Sequence, residues 1–121
     1  MNDVQAGCTA VVALVKDGKL VVANAGDSRA VASRNGTAEA LSFDHKPSHE
    51  TERRRIEAAG GFISDIGGVS RVNGNLNLSR AIGDLRYKTN RTIPMSDQVI
   101  TAHPDIQQVD ISPDLEFMVR T

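Results

Sequence analysis

The stretch "NAGDSRAV", Asn24 to Val31, places two charged residues between runs of strand-forming residues. The run "LVVANA" leads into the charged residues and "RAVAS" continues from them, and both are rich in small and β-branched side chains. Gly26 followed by Asp27 is typical of a turn. We therefore expect two neighbouring strands joined by a tight turn that presents the Asp27 carboxylate and the Arg29 guanidinium together.

Turn signals recur at an even spacing around this stretch. Asp17-Gly18, Gly26-Asp27 and Asn35-Gly36 lie nine residues apart, which predicts an antiparallel meander of short strands. The earliest runs, "CTAVVALV" and "LVVANA", are apolar at nearly every position. Such runs predict strands with both faces covered, as in a β-sandwich or in a sheet under helices.

The segment "DHKPSHETERRRIEAAGG" has the features of a helix. Pro47 and Ser48 are suited to its start and the Gly60-Gly61 pair to its end. One helix of about three turns is predicted over about residues 48–59. Ile56 is among the few positions able to pack against a core.

The remaining surface of this predicted helix is charged. Glu50 is placed to pair with Arg54, and Glu52 with Arg55, at helical spacing. The run of three arginines also allows a nucleic-acid interpretation. Because these arginines spread around a helix among three glutamates, a solvated face is the favoured interpretation.

The rest of the chain continues the strand-and-turn pattern. "VSRV" and "NLNLS" are predicted short strands, with turns at Gly67-Gly68 and Asn73-Gly74. A polar, proline-containing surface loop is predicted over about residues 85–98. Two more strands, "IQQVDI" and "LEFMV", are predicted near the end. No shift in composition marks a domain boundary.

Composition limits the classes of function. Fourteen basic residues and fifteen acidic residues give a net charge of -1, so no nucleic-acid or membrane partner is expected. The apolar run Ala10 to Val15 is too short to cross a bilayer. The single cysteine, Cys8, indicates a reduced compartment, cytoplasmic or nuclear. Cys8 is expected to be a small buried strand residue, with a reactive thiol as the alternative.

The candidate chemistry lies in carboxylates at turns. The sequence has no glycine-rich phosphate loop, no zinc-type spacing and no nucleophile elbow. Mg²⁺ and Mn²⁺ take oxygen ligands, and Mg²⁺ is commonly held by one or two carboxylates. Turn aspartates also bond local backbone amides, so either role remains open for each of them. The candidates are Asp27, Asp44, Asp65, Asp84 and Asp105.

A series of motifs in order extends this interpretation. The sequence resembles the metal-dependent protein phosphatase family of the protein phosphatase 2C type, and most closely its gamma-like members. The resemblance runs from about Gly7 to Val119 and rests on "GCTAVVAL", "VANAGDSRAV", "FDHKP", "ERRRIEAAGG", "RVNGNLNLSRAIGD", "YK" and "HPDI".

This resemblance implies a fold and an activity. The expected fold is α+β, as part of an antiparallel β-sandwich with flanking helices. The expected activity is hydrolysis of phosphoserine and phosphothreonine in protein substrates by a water that Mg²⁺ or Mn²⁺ activates. Metal ions suit this chemistry because they lower the pKa of bound water and neutralise phosphoryl oxygens. A monomer is expected.

The resemblance also suggests roles for individual residues. Asp27 falls on a metal-ligating position at the end of a central strand, and Thr9 lies near the same site in a supporting role. Arg29 is expected to pair with a neighbouring carboxylate. Arg71 is a candidate substrate contact, and its alternative role is a salt bridge that pins the glycine-rich flap.

Other polar residues are expected to be structural. Asp44 and His45 of "DHKP" resemble residues that anchor the start of the helical flap. Asp84 resembles a packing and hydrogen-bonding residue. The alternative is that it contacts a ligand of the metal without binding the metal itself. His49 and His103 match no catalytic position and are expected at the surface.

The sequence departs from the family pattern in ways that bear on activity. It lacks the family's Asp-Gly-His-Gly segment, an upstream arginine and the later Ala-Cys-Asp-Gly and Asp-Asn segments. Residues 1–121 are therefore expected to be a central part of the catalytic domain, with its N- and C-terminal parts missing. No catalytic residue is assigned, and this chain alone is predicted to be inactive. The alternative is a truncated binding module that engages phosphatase partners or substrates without hydrolysis.

Overall fold

The computed structural model describes residues 5–120, apart from the side chain of Met118. Within that range the chain forms ten strands, one α-helix and two 3-10 turns. The strands are β1 Gly7–Cys8, β2 Ala10–Lys16, β3 Lys19–Ala25, β4 Arg29–Arg34, β5 Thr37–Ala40, β6 Ile63–Ile66, β7 Val69–Val72, β8 Ile82–Gly83, β9 Asp105–Asp110 and β10 Leu115–Arg120. The helix α1 is Glu50–Ala58, and the 3-10 turns are Leu85–Tyr87 and Met95–Asp97. No helix within residues 5–120 has the length and apolar character needed to cross a bilayer.

Two antiparallel sheets of three strands form a sandwich. One sheet has the order β2-β3-β9 and the other the order β10-β4-β5. The core between them consists of Leu20 and Val22 from β3, Ala30 and Ala32 from β4, and Leu41. Alternate residues of β3 and β4 thus face the same core, as strand geometry requires. This arrangement confirms the predicted α+β fold with an antiparallel β-sandwich.

The predicted hairpin turns are present. Asp17 and Gly18 join β2 to β3 with φ angles of 51° and 72°, and Asn35 and Gly36 join β4 to β5 with 52° and 78°. Positive φ at both central residues is the signature of the type I′ turn, whose twist matches that of the flanking strands. These two pairs therefore place the β2-β3 and β4-β5 hairpins. The predicted continuous meander is wrong at Gly26-Asp27, because β3 and β4 belong to different sheets and this turn crosses between them.

The prediction that both faces of β2 are covered is wrong for the described residues. Val11 and Ala13 pack against the sandwich core. Val12 and Leu14, which alternate with them, are 61% and 55% exposed. An apolar residue at every position does not distinguish the two faces of a strand, whereas the pleat assigns them to opposite sides.

Cys8 is likewise not the buried strand residue that was expected. It lies in the two-residue strand β1, which pairs with β8, and it is exposed. A strand of two residues offers little neighbouring surface to cover a side chain.

A second apolar cluster lies in residues 46–101, called the flap below. Its buried residues are Ile56 from α1, Val72 from β7, Ala81, Tyr87 and Ile100. The helix α1 thus packs through Ile56 and leaves most of its charged side chains outside. The sandwich and the flap have separate apolar clusters, so polar contacts between them carry much of their relative placement.

The helix departs from its predicted charged surface at one position. Arg54 Nε lies 2.8 Å from Glu50 Oε1, and Arg55 Nη1 lies 2.9 Å from Glu52 Oε1, which confirms both predicted pairs. Glu52, however, is only 3% exposed. A solvated face was therefore the wrong interpretation for Glu52, because this part of α1 faces the protein rather than water.

Two segments of the flap also differ from expectation. "NLNLS" is not a strand: Leu76 forms only an isolated bridge to Val72, beyond the turn at Asn73-Gly74. The segment 85–98 is not entirely a surface loop, since Gln98 is 2% exposed. Its amide holds the backbone of Asn90, with Gln98 Nε2 2.6 Å from the Asn90 carbonyl oxygen and Oε1 3.1 Å from the Asn90 nitrogen.

Candidate functional site

The candidate site is the turn Gly26-Asp27-Ser28 between β3 and β4. Gly26 has φ of 120°, and a Cβ at this position would overlap Thr9 and lie 3.0 Å from the Arg80 carbonyl oxygen. Only glycine accommodates both the backbone conformation and the lack of space. Thr9 Oγ1 and Ser28 Oγ are 2.6 Å apart, so the threonine supports the turn that carries Asp27.

Asp27 forms an ion pair with Lys46. Lys46 Nζ lies 2.8 Å from Asp27 Oδ2, and the two side chains are 34% and 29% exposed. Such a partly solvated pair gains only modest Coulomb energy. The Asp27 carboxylate projects from the turn toward the start of the flap, where the Lys46 amine contacts one of its oxygens.

The described residues do not by themselves make a complete divalent-cation site. No group of three or more His, Cys, Asp or Glu side chains within them is placed to hold a metal ion. Asp27 offers one carboxylate, and Lys46 occupies one of its oxygens. Since Mg²⁺ and Mn²⁺ need several oxygen ligands, Asp27 is at most one ligand of such a site.

The other candidate carboxylates have partners of their own. Asp44 accepts two hydrogen bonds of 2.9 Å from Arg29, which confirms that Arg29 pairs with a neighbouring carboxylate. These hydrogen bonds hold the pKa of Asp44 below its ordinary value. Asp65 accepts a hydrogen bond of 2.7 Å from Ser70. Arg29 also feels the charge of Asp27, but the described residues include no cluster of three or more such ligands around Asp27.

Asp84 is buried at the end of β8. Its backbone is left-handed, with φ of 47°, and its nitrogen donates to the Ala6 carbonyl oxygen at 3.0 Å. A Cβ at Gly7 would overlap the Asp84 carboxylate. Lys88 is close enough to feel the Asp84 charge, although burial is the larger effect and lowers the pKa of Lys88. These contacts match the packing role expected of Asp84.

Arg71 lies on β7 of the flap. Its Nη1 donates to the Asn75 carbonyl oxygen at 2.8 Å across the turn at Asn73-Gly74. Its partner here is thus a backbone carbonyl rather than the carboxylate of a salt bridge. Substrate contact by Arg71 stays a prediction.

A cleft of about 220 Å³ separates the start of the flap from the tip of its hairpin. Its lining residues are Lys46, Pro47, Ser48, Gly68, Val69, Ser70 and Asn77. Lys46 therefore connects the Asp27 turn to an open groove that has both polar and apolar lining residues.

Sequence reasoning missed an ionic network centred on Glu52. Arg80 Nε and Nη2 each lie 2.8 Å from one oxygen of Glu52, and Ser79 Oγ donates to Glu52 Oε1 at 2.7 Å. Burial opposes ionisation of Glu52, but hydrogen bonds from Arg80 and Ser79 outweigh it and lower its pKa to about 2. Glu52 and Arg80 are 28 residues apart, so no local pattern in the sequence reveals the pair.

Arg80 also joins this network to the sandwich. Its Nη1 lies 3.1 Å from Asp105 Oδ1 at the start of β9 and 3.0 Å from the His103 carbonyl oxygen. Burial opposes ionisation of Asp105, and the hydrogen bond from His45 and the Arg80 charge hold its pKa below the ordinary value.

The side chains of His49 and His103 are exposed, as expected.

His45 connects Asp105 to the candidate turn. The Gly26 N–H donates to His45 Nδ1 at 2.9 Å, and His45 Nε2 lies 2.8 Å from Asp105 Oδ2. Since Nδ1 accepts, the ring proton is on Nε2 and donates to Asp105. The imidazole is only 4% exposed. Its contacts are structural, as the sequence suggested.

Comparison with known proteins identifies the family. A sequence profile described as Protein phosphatase 2C matches residues 1–119. The chain belongs to the protein phosphatase 2C family. The chain is 55% identical over 113 residues to a probable protein phosphatase 2C of Oryza sativa, which covers 93% of this chain and 30% of the relative. It is 53% identical over 120 residues to protein phosphatase 2C homolog 2 of Schizosaccharomyces pombe, covering 98% of this chain and 31% of the relative.

Solved structures of similar fold agree with this membership in the protein phosphatase 2C family. A phosphatase of Toxoplasma gondii aligns with a TM-score of 0.77 and 40% identity, covering 87% of this chain and 32% of that structure. A sex determining protein of Caenorhabditis elegans aligns with a TM-score of 0.79 and 36% identity, covering 91% of this chain and 25% of that structure. The chain thus spans between 25% and 32% of the length of these four proteins.

Proposed function

We propose that this chain supplies the Asp27 turn and the flap of a protein serine/threonine phosphatase that acts on phosphorylated proteins. Membership in the family is the observation that carries the proposal, because the matched relatives are named as protein phosphatases. The position of the Asp27 carboxylate supports it, since this side chain projects from a tightly constrained turn and pairs with Lys46, which lines an open groove. Similarity to the gamma-like members and a central place in the domain are parts of the same proposal.

Mg²⁺ or Mn²⁺ is the proposed cofactor, and Asp27 is the ligand that this chain contributes. A bound divalent ion would supply activation of water and neutralisation of phosphoryl charge. The remaining ligands would lie outside the group of described residues, which forms no cluster of three or more potential ligands. We therefore propose that residues 5–120 alone do not hydrolyse phosphate esters.

Arg71 is the proposed substrate contact. It lies on the same flap hairpin whose tip lines the groove beside Lys46. A guanidinium is suited to phosphate or carboxylate groups because its donors form a planar fork. Release of the hydrogen bond from Arg71 Nη1 to the Asn75 carbonyl oxygen would free the guanidinium for such a contact.

A segment exchange tests the proposal. The 120 matched residues of the Schizosaccharomyces pombe relative are replaced by this sequence, and hydrolysis of a phosphothreonine peptide is measured in millimolar Mn²⁺. The exchanged protein is expected to be active and to lose activity with a chelator. Asp27→Asn is expected to lower activity by about tenfold or more, whereas the exposed control Asp97→Asn leaves it unchanged.

Other outcomes of the exchange are equally informative. An inactive but folded exchanged protein contradicts the proposed function. Hydrolysis by the 121-residue chain on its own contradicts its proposed inactivity. Binding of the same peptide by the chain alone, without turnover and with an inactive exchanged protein, favours the non-catalytic binding module instead. For Arg71→Ala, a raised KM with little change in kcat supports substrate contact.

A further inference from the structure

We propose that His45 is a positioning residue that sets the placement of the Asp27 turn relative to the helix α1. The inference rests on the proposed function, in which Asp27 is a metal ligand. It assigns to His45 a role in the geometry of the site without contact to the reacting groups.

His45 bonds to both peptide groups that flank the Gly26 Cα atom. Its Nδ1 accepts from the Gly26 N–H at 2.9 Å, and its own backbone N–H donates to the Gly26 carbonyl oxygen at 3.0 Å. Gly26 directly precedes Asp27, and its neighbours Thr9 and Arg80 leave no room for a Cβ atom at this position. A second buried residue, Asn24, also donates from Nδ2 to the Gly26 carbonyl oxygen at 3.3 Å. His45 and Asn24 therefore share the orientation of the peptide that leads into Asp27, and His45 also fixes the peptide on the other side of Gly26.

Two routes connect His45 to α1. The first runs through side chains, from His45 Nε2 to Asp105, then to Arg80 and to Glu52 on the helix. The second runs through Ser79, whose N–H donates to the His45 carbonyl oxygen at 3.1 Å and whose hydroxyl donates to Glu52 at 2.7 Å. Both routes end on the same buried carboxylate.

The chemistry of the imidazole suits this role better than that of other side chains. It offers an acceptor on one side and a donor on the other in a rigid ring. The Gly26 N–H and the Asp105 carboxylate are the complementary donor and acceptor. A shift of α1 would therefore move Asp105 or Ser79 and, through His45, the peptide that leads into Asp27.

Two substitutions separate the bonds of His45. In His45→Asn the side-chain oxygen lies at the same number of bonds from Cβ as Nδ1, so the bond from Gly26 is retained and the link to Asp105 is lost. In His45→Gln the oxygen lies one bond farther, so the bond from Gly26 is lost. His103→Gln is the matched control, because that side chain is exposed and only its backbone carbonyl contacts Arg80.

The experiment records NMR nitrogen shifts and amide hydrogen exchange for the isotope-labelled 121-residue chain. In the wild type the His45 nitrogen shifts are expected to show the proton on Nε2. His45→Gln is expected to speed exchange of the Gly26 amide hydrogen by about tenfold, because a buried donor loses its acceptor. His45→Asn is expected to restore most of that protection, and His103→Gln to match the wild type.

A second readout connects His45 to the metal. Mn²⁺ is titrated into the exchanged protein described under Proposed function, which supplies the remaining ligands, while broadening of the Asp27 amide signal is followed. His45→Gln is expected to weaken Mn²⁺ binding by about tenfold, and Asp105→Asn to weaken it by a smaller factor. If wild-type Asp27 shows no broadening, the proposed metal role fails, while the Gly26 exchange and the His45 tautomer still judge the role of His45.

Several results would overturn the inference. A proton on Nδ1 in the wild type removes the bond on which it rests. The inference also fails if the Gly26 amide hydrogen of folded His45→Gln exchanges within twofold of the wild-type rate. It fails as well if His45→Asn and His45→Gln lose the same amount of protection at this amide. If His45→Gln does not fold, the wild-type tautomer and the Mn²⁺ affinity of Asp105→Asn decide the question.

Discussion

Arg80 and Glu52 form a two-bond ion pair in which both side chains are at most 8% exposed. The pair joins α1 to the segment that leads into β8, and Arg80 extends it to β9 through Asp105. The flap and the sandwich, which have separate apolar clusters, are thus held together by charge and hydrogen bonds.

Removal of one partner from this pair is expected to be strongly destabilising. Arg80→Met leaves the Glu52 carboxylate buried with fewer donors, which costs about 3 to 5 kcal/mol of unfolding free energy. Urea unfolding measures the loss. Arg54→Met, which removes a 78% exposed arginine from the same helix, is expected to change stability little. Equal effects of the two substitutions would contradict the structural importance of the buried pair.

Glu52 also predicts how stability depends on pH. Its ordinary pKa of 4.5 is lowered to about 2 in the folded chain. A lowered carboxylate pKa adds stability above the unfolded pKa, and that stability is lost as pH falls from 4.5 toward 2. The gain at neutral pH is about 3 kcal/mol.

Comparison with Glu52→Gln isolates this effect. The difference in unfolding free energy between the wild type and Glu52→Gln is expected to be largest near pH 7 and to shrink steadily below pH 4.5. Glu57→Gln, on the exposed side of α1, serves as the control. A difference that stays constant across this range would show that Glu52 gains nothing from ionisation.

Gly26 is expected to tolerate no side chain. Gly26→Ala must satisfy a φ of 120° and also displace Thr9 or the Arg80 carbonyl, so it should cost about 2 kcal/mol or more. Gly36→Ala has a φ of 78° and open space around the added methyl group, so it pays for backbone strain alone, about 1 kcal/mol. Thermal unfolding of the two variants gives the comparison, and a Gly36 variant as unstable as the Gly26 variant would argue against crowding at the turn.

The two faces of the first sheet are expected to differ in their tolerance of truncation. Leu20→Ala creates a cavity in the sandwich core and is expected to cost about 2 to 5 kcal/mol. Leu14→Ala removes a side chain that is 55% exposed and should cost well under half of that. Urea unfolding of both variants decides, and a large cost at Leu14 would mean that this face is covered.

The local features of the fold could be predicted from the sequence because they depend on near neighbours. Aspartate or asparagine followed by glycine, at Asp17-Gly18 and Asn35-Gly36, favours positive φ at both positions, which places the hairpins. The helical pairs of Glu50 with Arg54 and of Glu52 with Arg55 follow from helical spacing alone. The motif order was also sufficient to indicate the protein phosphatase 2C family, which the sequence profile confirms.

The remaining features were decided by tertiary structure. Whether Glu52 faces water or Arg80, and whether Val12 or Val11 faces the core, depends on elements far away in the chain. The same holds for His45, whose ring joins Gly26 to a carboxylate 60 residues later. Sequence by itself determined the turns, most of the strands and the family, because these arise from local backbone preference and ordered motifs. Burial, ion pairing and the placement of the Asp27 turn were decided only when distant segments packed together, since charge and polarity reveal a need for partners but not their identity.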